Sequence, residues 1–270
     1  MPSSRPGSKD ARPDGSLDST TLFASLPWTE IAERLKSSRR CVALLPVGAT
    51  EPHGPHLPLA TDAIISVEAA RRAAQRLEAG GLTAFVLPCI AYSVTDFSRD
   101  FPGAIGLSRE TSLRMIEEIG RAALSHGFAL LCLVNSHLEP DHLEVLRDAS
   151  ARIAAATGRP VVFPDKTQKR WASRLTAEFR SGACHAGQYE SSLVLAAAPE
   201  LVREDVMKGL PAVNISIGRK IKEGARSFKE AGGDDAYFGD PAAATRAEGD
   251  ETYEILAGMV EEAVMEALGA

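Results

Sequence analysis

The stretch CVALLPVGATEPHGPHLPLATD, from Cys41 to Asp62, joins an apolar run to a loop rich in histidine and carboxylate side chains. Its first seven residues carry no charge, which is typical of a strand buried on both faces of a parallel sheet. The loop then places Glu51, His53, His56 and Asp62 directly after that strand, in a chain with only six histidines. Two interpretations follow: a polar loop that happens to contain histidine, or half of a metal site.

The overall composition is that of an ordinary globular protein. The 270 residues are 44% hydrophobic and 24% charged, and the net charge of -6 gives no reason to expect nucleic acid or an anionic membrane surface as a partner. No apolar run reaches the roughly 18 residues that cross a bilayer, and the N-terminus lacks a signal-peptide core, so we expect a cytoplasmic location. Residues 1–20, rich in Ser, Pro, Gly and Asp, are predicted to be a disordered extension, and residues 21–270 a single domain.

Strand-like and helical patterns alternate along the chain after a short helix at 29–36. Strands are predicted at 41–47, 82–92, 128–136 and 159–165, and helices at 63–80, 109–127, 142–158 and 191–202. Alanine-rich helices between short apolar runs are typical of βαβ units. The sequence therefore predicts an α/β fold around a largely parallel sheet.

Polar side chains gather where these strands end. The segments concerned carry Glu51, His53 and Asp62 after the first strand, His137 and Glu139 after the third, and His185 and Glu190 before a later helix. Ligands of open α/β sheets bind beyond the carboxyl ends of the strands. Three segments that converge on this edge predict a functional site.

The ligand types favour a pair of divalent ions. Glu51 and His53 are two residues apart, so on an extended segment they share a face, and His137 and Glu139 repeat that spacing. Asp62 returns on the same loop and could bridge two ions about 3.5–4 Å apart. Nitrogen and oxygen ligands without cysteine suit Zn²⁺, Mn²⁺ or Fe²⁺.

The remaining histidines and the cysteines have simpler interpretations. His56 is expected either to bind metal or to support the loop, His126 to cap a helix C-terminus, and His142 to be solvated at a helix start. Cys184 stands next to His185, but adjacent side chains usually point apart, which disfavours a nucleophile–base pair. No CxxC pair is present, which excludes a zinc ribbon.

The same loop resembles the signature of a known family. VGATEPHGPHLPLATD is similar to the creatininase pattern Val-Gly-Ser-Thr-Glu-Gln-His-Gly-Pro-His-Leu-Pro-Leu-x-Thr-Asp, and the segments DFPGAIGLS (100–108), NSH (135–137), HAGQYESS (185–192) and FGDP (238–241) agree in order. The resemblance implies a metal-dependent hydrolase with a three-layer αβα sandwich and a central, mostly parallel sheet. It also implies a homo-oligomer, commonly a hexamer.

The resemblance also implies roles for single residues. Glu51, Asp62 and His137 would hold one ion. His53 and the shared Asp62 would hold the other, together with one further glutamate.

Two glutamates fit that last position. Glu139 follows a ligand at extended spacing and is preferred for this reason, and Glu190 is the alternative. His185 resembles the family's proton-transfer histidine, beside a hydroxide that bridges the ions and attacks the carbonyl.

The predicted reaction is hydrolysis of a C–N bond in a cyclic amide, formamide or small peptide amide. Phe97 stands where the family often has histidine, and no tryptophan stands just ahead of the HAG segment, where creatinine hydrolases have one; Trp171 is the nearest candidate. These departures do not favour creatinine as the small-molecule substrate. Two alternatives are a C–C hydrolase of a cyclic sugar ketone on the same fold and a non-catalytic, metabolite-binding α/β module.

Overall fold

The computed structural model describes residues 21–37 and 40–269. The predicted extension at 1–20 lies outside the described residues. A four-stranded sheet forms the centre, with strands β1 (Cys41–Val47), β2 (Thr83–Val86), β3 (Leu130–Asn135) and β4 (Val161–Val162). Their order is β2-β1-β3-β4 and every described pairing between them is parallel. The predicted α/β class with a mostly parallel sheet is confirmed.

Ten α-helices occur in the described part of the chain. They are α1 (Trp28–Ser37), α2 (Thr61–Ala79), α3 (Arg109–Ser125), α4 (Pro140–Thr157), α5 (Lys169–Ala172), α6 (Ala177–Ser181), α7 (Gln188–Ala197), α8 (Glu204–Met207), α9 (Ile217–Lys222) and α10 (Arg246–Leu268). Local sequence explains their ends. The Ser108 side chain accepts a hydrogen bond from the Thr111 N–H at the start of α3, and Gly158 ends α4 in the left-handed region. Within the described ranges, no helix is long and apolar enough to cross a membrane.

The sheet lies between two helical layers. Alternate residues of β1 point to opposite faces: Val42 and Leu44 pack in the core with α2, α7 and α10, whereas Ala43 and Leu45 pack in the core with α3 and α4. All residues of β1 are buried. This is why the strand reads as an uninterrupted apolar run.

Two strands are shorter than predicted, and proline explains both. The strand predicted at 82–92 ends before Pro88, and the strand predicted at 159–165 is reduced to two residues between Pro160 and Pro164. Proline has no N–H to donate to the ladder. Apolar composition alone therefore predicted these two strands to be longer than they are.

One glycine sets the relation between the sheet and the polar loop. A Cβ added to Gly48, just after β1, would lie 2.7 Å from the Ala63 nitrogen and 2.9 Å from Asp62 Cβ. Both distances are closer than a side chain tolerates. Gly48 thus lets the first turn of α2, with Asp62, pack directly on the end of β1.

Candidate metal centre

The polar residues predicted from the strand ends meet at the carboxyl edge of β1 and β3. Their side chains are almost fully buried, with 1% of Glu51, 0% of His53, 1% of Asp62, 3% of His137 and 3% of Glu190 exposed. Buried charges of this kind are costly unless they are paired or bind a cation. The burial makes this cluster the candidate site.

Asp62 lies between two groups of side chains. Its Oδ1 is 3.4 Å from His53 Nε2, and its Oδ2 is 3.1 Å from His137 Nδ1. One oxygen therefore faces each histidine. We call the two sides the Glu51–His137 group and the His53–Glu190 group.

The Glu51–His137 group is oriented by a neighbouring loop. His137 Nε2 lies 2.8 Å from the Val94 carbonyl oxygen, so it carries the proton and leaves the Nδ1 lone pair facing the carboxylates. Glu51 Oε1 is 3.2 Å from that Nδ1. The Thr95 hydroxyl donates a short hydrogen bond to the other Glu51 oxygen. Both members thus present lone pairs to the same point.

The His53–Glu190 group is likewise oriented by contacts with the backbone. His53 Nδ1 lies 3.0 Å from the Glu51 carbonyl oxygen, so Nε2 faces inward. Glu190 Oε2 is 3.5 Å from His53 Nε2 and accepts a hydrogen bond of 2.7 Å from the Ala186 N–H. Glu190 lies in the first turn of α7, which the HAG segment leads into.

Two unsatisfied atoms show that this donor set fits a cation. His53 Nε2 and Asp62 Oδ2 are buried and have no hydrogen-bond partner among the described residues. Burial by itself lowers the pKa of His53, but the carboxylates of Asp62 and Glu190 outweigh it and raise the pKa to about 10. The buried carboxylates thus attract a positive charge, and a divalent ion with nitrogen and oxygen ligands meets that demand.

Glu139 lies beside the Glu51–His137 group. Its carboxylate accepts hydrogen bonds from the backbone N–H groups of Asp96, at 3.0 Å, and Phe97, at 3.2 Å. Its Oε2 is 4.0 Å from His137 Nε2. Glu139 can join Glu51 and His137 around one point, and it also fixes the loop that orients both.

The structure brings Glu190, not Glu139, beside His53 and Asp62. The sequence analysis preferred Glu139 as the partner of His53 and Asp62, so the observed placement differs from that prediction. Extended spacing keeps Glu139 close to His137, but α7 approaches the first strand from a distant part of the chain, and only the folded chain shows that distance.

His185 lies at the border between the site and an aromatic cluster. Its ring centroid is 4.4 Å from that of His53 and 4.2 Å from that of Phe228. Its Nε2 is 3.0 Å from the Pro52 carbonyl oxygen, which assigns the proton to Nε2 and the lone pair to Nδ1. Burial lowers the pKa of His185 to about 4. The neighbouring Cys184 thiol has a pKa raised by burial, which disfavours a thiolate nucleophile.

The other histidines have structural contacts. His56 Nε2 is 2.9 Å from Ser191 Oγ in α7, so His56 supports the helix that carries Glu190. His126 is the C-cap residue of α3, as predicted. The prediction of a solvated His142 is wrong: it is fully buried, with Nε2 2.9 Å from Asn135 Oδ1, because the first turn of α4 packs against the end of β3.

Two residues at the site were not predicted. Thr95 orients Glu51, as described above. Lys166 is buried and lies 3.3 Å from Ser136 Oγ and 3.5 Å from the Tyr189 hydroxyl. Burial lowers its pKa to about 8. A single lysine in a loop carries no sequence signal for burial, so only the fold reveals it.

A cavity of about 700 Å³ opens onto these groups. Phe97, Phe179 and Phe228 give it apolar walls, and His185 lines it as well. Trp171, the aromatic residue proposed from the sequence, contacts Arg170 instead. The guanidinium carbon of Arg170 lies 4.2 Å from the centroid of the Trp171 ring.

Comparison with known proteins assigns the family. Residues 24–264 match the creatininase family, described as creatinine amidohydrolase. The chain belongs to the creatininase family. It is similar to a mycofactocin precursor peptide peptidase of Mycobacterium ulcerans, with 33% identity over 227 residues and 82% of each chain covered. It also resembles the solved structure of a mutant creatininase, Type II, with a TM-score of 0.72, 21% identity, and 92% of this chain and 98% of the other covered.

A further solved structure, entitled creatininase Mn, has a TM-score of 0.70 at 23% identity and covers 92% of this chain and 98% of its own. This creatininase-family chain is a hydrolase. The names amidohydrolase and peptidase denote enzymes that cleave C–N bonds. The family does not favour the C–C hydrolase or the non-catalytic module.

Proposed function

We propose that this hydrolase cleaves the C–N bond of a cyclic amide, a formamide or a small peptide amide with two divalent ions per chain. The observation that carries the proposal is the placement of Asp62, with one carboxylate oxygen toward His53 and the other toward His137. A carboxylate shared between two nitrogen-and-oxygen groups suits a binuclear site, whose ions lie about 3.5–4 Å apart.

Each group supplies three ligands under this proposal. Glu51, Asp62 and His137 hold one ion, and His53, Asp62 and Glu190 hold the other. The unsatisfied His53 Nε2 and Asp62 Oδ2 support this assignment. Zn²⁺, Mn²⁺ and Fe²⁺ suit the donor set.

Under this proposal Glu139 positions other residues of the site and does not bind the second ion. It holds the backbone of Asp96 and Phe97, and that loop supplies the Val94 carbonyl and the Thr95 hydroxyl that orient His137 and Glu51. Groups that orient metal ligands commonly affect affinity or activity by about 10–100-fold.

Divalent ions at such a site supply a water-derived nucleophile near neutral pH and polarise the scissile carbonyl. The chain's own part in the reaction falls to His185. Its lowered pKa keeps the imidazole neutral at pH 7, so Nδ1 can take up a proton while Nε2 remains bound to the Pro52 carbonyl. The same atom returns the proton to the leaving nitrogen. The walls at Phe97 and Phe228 exclude bulk water.

We also propose a homohexamer in the cytoplasm as the working form. Family resemblance supports the assembly. Light scattering at working concentration tests the assembly, which a monomer would contradict.

The function is tested by a hydrolysis screen of lactams, formamides and small peptide amides. The full chain is stripped of metal and then loaded with Mn²⁺ or Zn²⁺. We expect turnover of at least one amide class that depends on added metal and is absent in Asp62→Ala. The exposed Asp141, which pairs with Arg109 on the surface, gives the matched control Asp141→Ala. Metal-independent turnover, or turnover that survives in Asp62→Ala, would contradict the proposal.

A further inference from the structure

The catalytic cavity has charges of opposite sign at its two ends. Its acidic lining residues are all buried at the floor: Glu51, Asp62, Glu139 and Glu190. Its cationic lining residues are Arg180, Arg219 and Lys222, and all three are exposed to solvent. We call these three residues the mouth cations.

The backbone holds the elements that carry the mouth cations together. Gly182, just after α6, accepts a hydrogen bond of 2.9 Å from the Ile217 N–H at the start of α9. A Cβ on Gly182, whose φ is +78°, would lie only 2.7 Å from Ser216 Oγ. Arg180 lies two residues before this junction and Arg219 two residues after it. Two separate helices thus direct cations to one opening.

Among the described residues, the mouth cations lack the carboxylate partners that arginines elsewhere in the chain have. Arg72 and Arg170, for example, form ion pairs with acidic residues of α10. Arg219 and Lys222 form no ion pair with any residue in 21–37 or 40–269, while their neighbour Lys220 binds Glu223 at 2.9 Å. Because none of the three forms an ion pair with a carboxylate of the described residues, the positive charge at the opening is not neutralised locally.

The cavity also has more room than a small ring requires. Its volume of about 700 Å³ lies in the upper half of the roughly 300–1,000 Å³ range of pockets for drug-sized ligands. A substrate can therefore reach from the floor, where the amide is cleaved, to the mouth. Phe97, Phe228 and Leu138 offer apolar contacts between the two ends.

We propose that the mouth cations bind a carboxylate of the substrate, and that the substrate class is an amide with an apolar body and a carboxylate remote from the scissile bond. This inference rests on the proposed function, since the amide must lie at the floor. Arginine pairs well with carboxylates because its planar guanidinium forms two parallel hydrogen bonds with them.

The experiment compares two probes of equal shape, the tripeptide Ala-Ala-Phe with a free carboxylate and the same tripeptide as its C-terminal carboxamide. Calorimetry measures the binding of each to the manganese-loaded full chain. We expect the free carboxylate to bind roughly tenfold more tightly, a preference that shrinks at 1 M salt because screening then acts within about 3 Å. The double variant Arg219→Gln and Lys222→Gln should lose the preference, whereas the control Lys220→Gln should keep it.

The outcomes separate this inference from the function. Equal binding of the two probes to the wild-type chain would overturn it. A preference that survives in the double variant would also overturn it, because the carboxylate would then lie at the metal ions. If the preference follows the mouth cations but neither probe is hydrolysed, the carboxylate subsite stands and peptide amides drop out of the proposed function.

Discussion

The floor of the cavity is built from strand ends and from the first turns of α2 and α7 and is buried, whereas its mouth is built from the short helices α6 and α9 and is exposed. Floor side chains are fixed by hydrogen bonds to the backbone, as His137 is by Val94 and His53 by Glu51. At the mouth, the Arg219 and Lys222 side chains have no such anchor among the described residues. The difference indicates that the floor sets the chemistry and the mouth selects the substrate, so substitutions at the two ends should change different quantities.

The largest effect is expected at the residue shared by both floor groups. Asp62→Ala removes an oxygen from each group, so we expect hydrolysis to fall by more than the roughly 10²–10⁴-fold that loss of a proton-transfer group costs. Turnover assays measure the loss, and far-UV circular dichroism should show that the fold persists. Full activity in this variant would contradict the assignment of the chemistry to the floor of the cavity.

A smaller loss is expected at His185, which borders the floor. His185→Ala should reduce turnover by about 10²–10⁴-fold, or roughly 3–5 kcal/mol of barrier, while metal content stays at the wild-type level. Glu190→Ala should lose metal first and turnover as a consequence. If His185→Ala proves metal-depleted while Glu190→Ala stays loaded, the two roles must be exchanged.

Substitution of Glu139 tests whether this residue binds metal or positions the residues that bind it. Glu139→Gln keeps one carbonyl oxygen for the Asp96 and Phe97 N–H groups, so we expect a loss of about 10–100-fold in turnover with metal content retained. The neighbouring exposed Asp141 provides the control, and Asp141→Asn should change turnover less than twofold. Loss of one ion from Glu139→Gln would favour the ligand role drawn from the sequence.

The smallest predicted signal is proton release. The raised pKa of His53, about 10 in the metal-free chain, means that its imidazole is protonated at pH 7 and must lose that proton to bind metal. Loading should therefore release at least one proton at pH 7, and metal affinity should rise with pH toward 10 as the competing proton leaves. Calorimetric titration in buffers of different ionisation enthalpy counts the protons, and His53→Gln should release about one fewer. Uptake without proton release would contradict the electrostatics of the floor.

The floor was largely predictable because its residues follow strands that the apolar pattern identifies. Glu51, His53 and Asp62 lie within one contiguous loop, so their proximity needs little knowledge of the fold. Which of Glu139 and Glu190 lies beside His53 was not predictable, since it depends on where α7 packs. Sequence spacing carries no measure of that distance.

His142 and the mouth cations were missed for a related reason. The burial of His142 results from the packing of α4 against β3, which a polar residue at a helix start does not reveal. The mouth depends on a hydrogen bond between Gly182 and Ile217, which lie far apart in the chain. Tertiary contacts of this kind have no local sequence pattern.

The central claim, that Asp62 serves two separate ion sites, is tested most directly by counting metal per chain. Elemental analysis after dialysis should find two ions in the wild-type protein, one in Glu51→Gln and one in Glu190→Gln, since each substitution weakens only one group. A single ion in the wild-type protein, or loss of both ions from either single variant, would contradict the account.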